Sequence, residues 1–347
     1  MNTKRTVYLA LVLGTVSTLL FVPGFQPERT VSVSDPEPVT VLLGGDVFIG
    51  PRLNHYTNRN EYWGVDKALS ERISQADLFL ANLEGPLTAG ADTTGEKSYH
   101  LRNDPRTALP ILKDLGMDGV SLANNHTLDF GRKGLLETLR LLNKNDIKHT
   151  GAGASLERAL YPVFFTRKGR TIAFLSFSNT FPERFWAKPE QVGTAYGKLD
   201  HVEALTSFAD ARADRVIISF HWGGEGEVTS KDYQITLARR AVDAGADVVF
   251  GHHPHTLQPV ERYRGSLIFY SLGNFIFTTM SHTVNYGLLA EVSFVPGRDP
   301  AAKTHVMNVN NHEVHYRPEF VKTLENPVDG LRDLSSDTEF ITQLETL

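Results

Sequence analysis

The stretch Ala246-Asp247-Val248-Val249-Phe250-Gly251-His252-His253-Pro254-His255 decides how the rest of the chain is read. Val248 to Phe250 has the short, unbroken apolar character of a buried strand. The strand ends in a turn holding three imidazoles, so nitrogen ligands project from a stiff support. Neutral imidazole is a common ligand for zinc, iron, copper and nickel. A histidine turn in this position points to a metal site more than to a solvated loop.

The pattern recurs on both sides. Val39-Thr40-Val41-Leu42-Leu43, bounded by Gly44-Gly45, reads as a strand ending at Asp46. Asp77 to Asn82 ends at Glu84, and Gly119 to Ala123 ends at Asn124-Asn125-His126. Thr171 to Phe177 is a further strand. Arg215 to Phe220 ends at His221-Trp222-Gly223, and Leu267 to Leu272 leads into Gly273-Asn274-Phe275. Helical spacing fills the intervals over 65–75, Thr107–Leu115, Leu135–Asn143, Val202–Ala213 and Asp232–Ala244. Strand-like stretches follow near 287–295 and 304–316, then a final helix near 330–346. Strands alternating with helices, with polar residues where strands end, predict an α/β fold. Its site lies at the carboxyl ends of the strands.

Composition narrows the class. The 347 residues are 41% hydrophobic and 22% charged, typical of a folded globular chain. The formal net charge of -5, with no block of Lys and Arg, argues against a nucleic-acid partner. Cysteine is absent, which excludes disulfides, thiolate metal sites and a Cys nucleophile. Lys4 and Arg5 precede an apolar stretch from Val7 to Val22, the layout of an export signal. No clear small-x-small cleavage site follows it, which favours an uncleaved anchor over a cleaved signal. Residues 1–25 are therefore expected to be a signal peptide or an N-terminal anchor in the cytoplasmic membrane. Residues 26–38, with Pro27, Pro36 and Pro38, read as a linker. A main domain over 39–300 and a strand/helix extension of it over 301–347 complete the expected organisation. The bulk is expected outside the cytoplasm, membrane-anchored or secreted.

Polar strand ends supply two acids, one amide and several imidazoles: Asp46, Glu84, Asn125, His221, His253 and His255. Singly, Asp46 reads equally as a cap or turn former, and Asn125 as a turn residue. Together they form a mixed oxygen and nitrogen set that suits Mn, Zn or Fe, as one or two ions. A carboxylate can bridge two cations, and such a pair clamps the oxygens of an in-line phosphoryl displacement.

Six stretches together resemble the ordered motifs of the CapA family. They are Gly45-Asp46, Asn82-Leu83-Glu84, Asn124 to Gly131, His221-Trp222-Gly223-Gly224-Glu225, Gly251 to His255 and Ser271 to Phe275. That family is associated with poly-gamma-glutamate capsule biosynthesis and is similar in fold to the calcineurin-like metallophosphoesterases. The resemblance covers about residues 39 to 295. It implies a layered β-sandwich flanked by helices, with the metal site at strand C-terminal ends. By the same resemblance Asp46 is the first-strand metal acid, and Glu84 stands where the phosphoesterases place a bridging Asp. Asn125 is the metal-binding amide and His126 the general acid. His221 is an isolated ligand, and His253 and His255 are the closing His-x-His pair. Asp129 either orients His126 or caps the following helix.

Two departures stand out. Phe48 occupies the histidine position of the first phosphoesterase motif, and Glu84 is one methylene longer than the usual Asp. The ion position nearest Asp46 is thus expected to be a nitrogen short and weaker than one held by Glu84, Asn125, His221 and His253. Glu225 is a candidate to fill the gap, or a substrate contact. Trp222 is expected to pack at the rim, His252 to orient the turn or exchange roles with His253, and Asn274 to hydrogen-bond across its turn. His55, His100, His149, His201 and His282 read as ordinary surface or loop residues. His312 and His315 are expected on a strand, facing solvent.

The function these features favour is an exported, metal-dependent hydrolase acting on an envelope or capsule polymer. The alternative is a non-enzymatic subunit of a capsule polymer synthesis and export complex, retaining a structural metal. A glycosidase needs only two carboxylates and leaves the histidines unexplained.

Overall fold

Alternation within the central strands decides the layering. In the strand Val39–Phe48, Val39, Val41 and Leu43 enter one core while Leu42 and Val47 enter another. Both faces are therefore buried, as expected of a strand sandwiched between layers. A computed structural model describes residues 37–53, 65–94, 97, 99–280 and 284–321. All of them fall in a unit that begins at Pro36. The proposed leader over 1–25, most of the linker, His55, His282 and the helix near 330–346 lie outside the described residues.

In chain order the strands are β1 (Val39–Phe48), β2 (Leu78–Leu83), β3 (Gly119–Ser121), β4 (Lys148–Thr150), β5 (Ala152–Gly153), β6 (Val163–Arg167), β7 (Arg170–Ser178) and β8 (Gly193–Thr194). There follow β9 (Arg215–His221), β10 (Val248–His252), β11 (Val260–Tyr263), β12 (Ser266–Phe269), β13 (Asn274–Phe277), β14 (Tyr286–Phe294), β15 (Ala301–Asn308) and β16 (Glu319–Phe320). One sheet has the order β16-β15-β14-β1-β2-β3-β4, with β13 also pairing β1. The other has the order β11-β12-β10-β9-β7-β6. Parallel pairing dominates the centre of each sheet; β14, β15 and β16 are antiparallel, as are the hairpin partners β6 and β11.

Three apolar cores follow. Val41, Leu43, Leu78 and Leu80 of the first sheet meet Phe174, Ile217, Val248, Phe250 and Phe269 of the second. On the outer face of the first sheet, Leu42, Phe79 and Ala81 pack against α1 (Lys67–Gln75), α2 (Pro105–Asp114) and α3 (Gly131–Lys144). After the short α4 (Leu156–Leu160), α5 (Leu199–Asp210) and α6 (Asp232–Asp243) cover Val216, Ile218, Phe220 and Val249 of the second sheet. The result is the helix–sheet–sheet–helix sandwich expected. Each fully buried Leu, Val or Phe contributes roughly 1.5–3 kcal/mol. Aspartates fix the helix starts: the Asp66 and Asp104 carboxylates accept from the backbone N–H of Ala68 and Arg106.

The strand expected over 304–316 is shorter. It ends at Asn308, and the Asn310 side chain caps a helical turn, α7 (Asn311–Val314), by accepting from His312 N. His312 and His315 are exposed but not on a strand; His315 closes that turn in left-handed conformation, at φ 50°. His149 is also not a loop residue. It lies on β4, where burial lowers its pKa to about 4.

Candidate metal centre

Register brings the polar strand ends level. Asp46 pairs with Asn82 of β2 on one side and with Asn274 of β13 on the other. His221 of β9 pairs with His252 of β10 in the facing sheet. A bulge at Gly44-Gly45 makes this possible, because the β1–β2 register shifts between Leu43 and Asp46. A Cβ on Gly45 would lie 2.0 Å from the Gly273 carbonyl oxygen, the acceptor of the Asp46 N–H at 2.9 Å. Only glycine lets the two backbones approach this closely.

Asp46, Glu84 and His221 are fully buried, and their ligand atoms lie within 4.8 Å of one another. A second group, Glu225, His253 and His255, meets the same limit. Asn125 is adjacent: its Oδ1 is 2.9 Å from His221 Nε2. All six residues expected as ligands are thus brought together, but in a different partition. Asp46 stands with Glu84 and His221, whereas His253 stands with His255 and Glu225. Phe48 is buried, with its ring 5.4 Å from that of Phe277, which in turn lies 4.6 Å from the His255 ring. The first-motif histidine position is therefore apolar.

Hydrogen bonds hold the group in place. Asn82 Nδ2 donates to Asp46 Oδ1 at 2.8 Å, and lies 3.5 Å from Glu84 Oε2 and 3.4 Å from His221 Nδ1. Asn124 Nδ2 donates to Asn82 Oδ1 at 3.1 Å and to the Leu83 carbonyl at 2.8 Å. His255 Nδ1 is 2.9 Å from Asn274 Oδ1 and 3.2 Å from Asp46 Oδ2. His252 is fully buried with Nδ1 3.2 Å from Asp46 Oδ1, close but outside hydrogen-bond geometry. His253 and His255 both have left-handed backbones, at φ 93° and 55°. Such conformations cost about 1–3 kcal/mol each and gather at functional sites.

His126 is oriented from below. Its Nδ1 is 2.6 Å from Asp129 Oδ2, and its Nε2 is 3.9 Å from Glu84 Oε1. Asp129 also accepts from Lys97 Nζ at 2.9 Å and from the Leu101 N–H at 2.8 Å. The alternative role for Asp129 falls away, because the N-cap of α3 is Phe130, without a side-chain cap bond. Lys97 also bonds the Asn125 carbonyl, and Tyr99 lays its ring 5.5 Å from that of His126. Sequence reasoning missed Lys97, Tyr99 and Asn82. The first two lie in a stretch without periodicity, and Asn82 was visible only as part of a motif.

The electrostatics fit a cation. Burial, followed by the charges of Asp46 and Glu225, pushes the Glu84 carboxyl well above its usual range, against the pull of His255. Burial also disfavours a charged His255, yet Glu84 and Asp46 hold its pKa up at about 10. Asp46 is held well below the carboxylate range: His252 and His255 outweigh its burial. Burial and the charge of His255 push His253 down to about 3, and burial with His253 lowers His221. Glu84 Oε1 and His253 Nδ1 are buried and have no hydrogen-bond partner among the described residues. The charge of Asp46 is offset by the proton on His255, and Glu84 is pushed towards its protonated form; a divalent cation performs the same task by displacing those protons. The residues present fit such an ion.

The bacterial capsule synthesis protein family PGA_cap matches residues 40–279. The PGA biosynthesis protein CapA of Bacillus subtilis (strain 168) is 29% identical over 99% of this chain and 90% of its own length. The capsule biosynthesis protein CapA of Bacillus anthracis is 31% identical over 79% of this chain and 69% of its own. Among solved structures, the calcineurin-like phosphoesterase YfkN of Bacillus subtilis superposes with a TM-score of 0.45 at 14% identity, covering 81% of this chain and 95% of that one. Three other solved structures are longer, and the chain spans 55%, 54% and 57% of them. With the family match running from β1 through β13, this chain belongs to the bacterial capsule synthesis protein family PGA_cap.

Proposed function

We propose that this protein is a divalent-metal hydrolase acting on phosphoryl, ester or amide bonds of an envelope polymer, in the synthesis of a poly-gamma-glutamate capsule. The observation that carries the reading is the fully buried group Asp46, Glu84 and His221, with Glu84 Oε1 lacking a hydrogen-bond partner among the described residues. The capsule role rests on family membership and on the names of the Bacillus relatives. Asp46, Glu84, Asn125, His221, His253 and His255 would hold one or two ions of Mn, Zn or Fe. Such ions supply Lewis acidity, polarising a phosphoryl or carbonyl oxygen and acidifying water.

The chain's own residues handle the proton. Asp129 fixes the His126 ring through Nδ1, leaving Nε2 towards Glu84. Burial lowers the pKa of His126 although Asp129 opposes it, so the ring is neutral at neutral pH. A neutral Nε2 accepts a proton; once charged, with Asp129 balancing the imidazolium, it returns that proton to a leaving group.

The purified full chain, loaded with Mn²⁺ or Zn²⁺, should release product from a panel of phosphomonoesters, phosphodiesters and gamma-glutamyl polymers, and a chelator should stop it. A metal-loaded protein inert on the whole panel would favour the non-enzymatic subunit instead. We propose further that the folded unit lies outside the cytoplasmic membrane, tethered through residues 1–25. Lys4 and Arg5 ahead of Val7–Val22 support this. Among the described residues no helix is long and apolar enough to cross a membrane. Protease added to spheroplasts should degrade the folded unit; protection from it would contradict the tethering.

A further inference from the structure

We propose that Glu225 is a metal ligand: with His253 and His255 it forms a second divalent-cation position at the rim. This rests on the metal-centre reading above and extends it to a residue outside the six ligands.

Three observations carry it. First, a carboxylate oxygen of Glu225 and ring nitrogens of His253 and His255 lie within 4.8 Å of one another. The set offers one oxygen and two nitrogens, a donor mix that suits a divalent transition ion. Second, His253 Nδ1 is buried and has no hydrogen-bond partner among the described residues. An imidazole nitrogen withdrawn from water without a hydrogen bond is costly unless something else uses its lone pair. Third, Phe48 cannot coordinate, and its ring is committed to Phe277. Any further ligand must come from another element.

The loop that carries Glu225 is tied to the histidine turn. Gly226 N donates to the Pro254 carbonyl at 2.9 Å, between the two histidines. Gly223 and Gly226 flank the segment with φ of 85° and 77°, a backbone that lets it double back over the site. Gln258 Nε2 donates to the Glu227 carbonyl at 2.8 Å and the Thr229 carbonyl at 3.2 Å, and its Oε1 accepts from Gln234 Nε2 at 3.0 Å. Two side chains of the scaffold therefore brace the loop from beneath. The position has one wall on the strand-end turn and one on this loop, and Glu225 is its solvent-exposed member.

Titration of the chelator-stripped full chain with Mn²⁺, followed by calorimetry and by Mn(II) magnetic resonance, tests the assignment without reference to turnover. The unmodified protein should take two equivalents, the second more weakly. Glu225→Gln should keep the first unchanged and lose affinity for the second by about tenfold or more. Its metal-free melting temperature should stay put, since Glu225 is exposed. A single equivalent in the unmodified protein, or two unchanged equivalents in Glu225→Gln, overturns the role of Glu225 and leaves the metal centre standing. No bound ion in the unmodified protein overturns the metal centre itself.

Discussion

The two ligand groups differ in what positions them. Asp46, Glu84 and His221 lie close to strand ends, wholly buried, with sheet register and Asn82 deciding their separation. Glu225, His253 and His255 come from two turns, two of them in left-handed backbone and one exposed to solvent. A position set by register can change only if the sheets change. A position set by turns can vary in a relative, gain or lose a ligand, and leave the sandwich intact. The inner group, which holds Asp46, is therefore expected to bind its ion tightly and the rim group loosely, the reverse of the order that the missing first-motif histidine alone implies.

The strongest way to break this contrast is at Asp46. Asp46→Ala removes a carboxylate from the inner group and the partner of His255. Metal affinity should fall by more than about 100-fold. Retention of one tight ion would show that the inner group is not the anchor. His126→Ala should act differently, keeping bound metal while turnover drops by about 10²- to 10⁴-fold. Equal loss of metal and turnover would make His126 a ligand.

Acidity acts on the two histidines of the rim group in the chelator-stripped protein. His253, pushed to about 3 by burial and the charge of His255, gains its proton below 6.5 only on unfolding. Stability therefore falls as pH drops from 6.5 towards 3. His255, held at about 10 by Glu84 and Asp46 against burial, keeps a proton that the unfolded chain releases above 6.5. Its contribution is complete below 6.5 and is lost as pH rises through 10. The metal-free melting temperature should peak near pH 6.5, and metal binding should strengthen towards alkaline pH as the His255 proton becomes easier to displace. A melting temperature that is flat across this range would contradict the charge assignment.

The smallest effect is expected one residue from the site. Trp222 follows His221 but faces the helical layer, stacked on Phe220 with centroids 4.5 Å apart and donating to the Tyr270 carbonyl at 2.9 Å. Trp222→Phe should cost about 1–3 kcal/mol, the penalty of an unpaired buried acceptor. Metal content should not change, and its loss would move Trp222 from packing into the site.

Much of this was legible in the sequence because strand ends are local. Asp46, Glu84, His221 and His255 each follow an apolar run within a few residues, and a buried polar side chain there needs a partner. The partition of the ligands was not legible. It depends on how two sheets face each other, which no spacing along one strand encodes. Lys97 is the clearest omission: it reaches the Asn125 carbonyl and Asp129 across separations of 28 and 32 residues, which no local pattern encodes. The strand expected over 304–316 stops short because the Asn310 cap, which alternation cannot register, turns the chain into α7.

The most direct measurement is anomalous diffraction from crystals of the protein grown with Mn²⁺. The account predicts a strong peak bounded by Asp46, Glu84 and His221, and a weaker one bounded by Glu225, His253 and His255. A map with no peak among Asp46, Glu84 and His221 would contradict it.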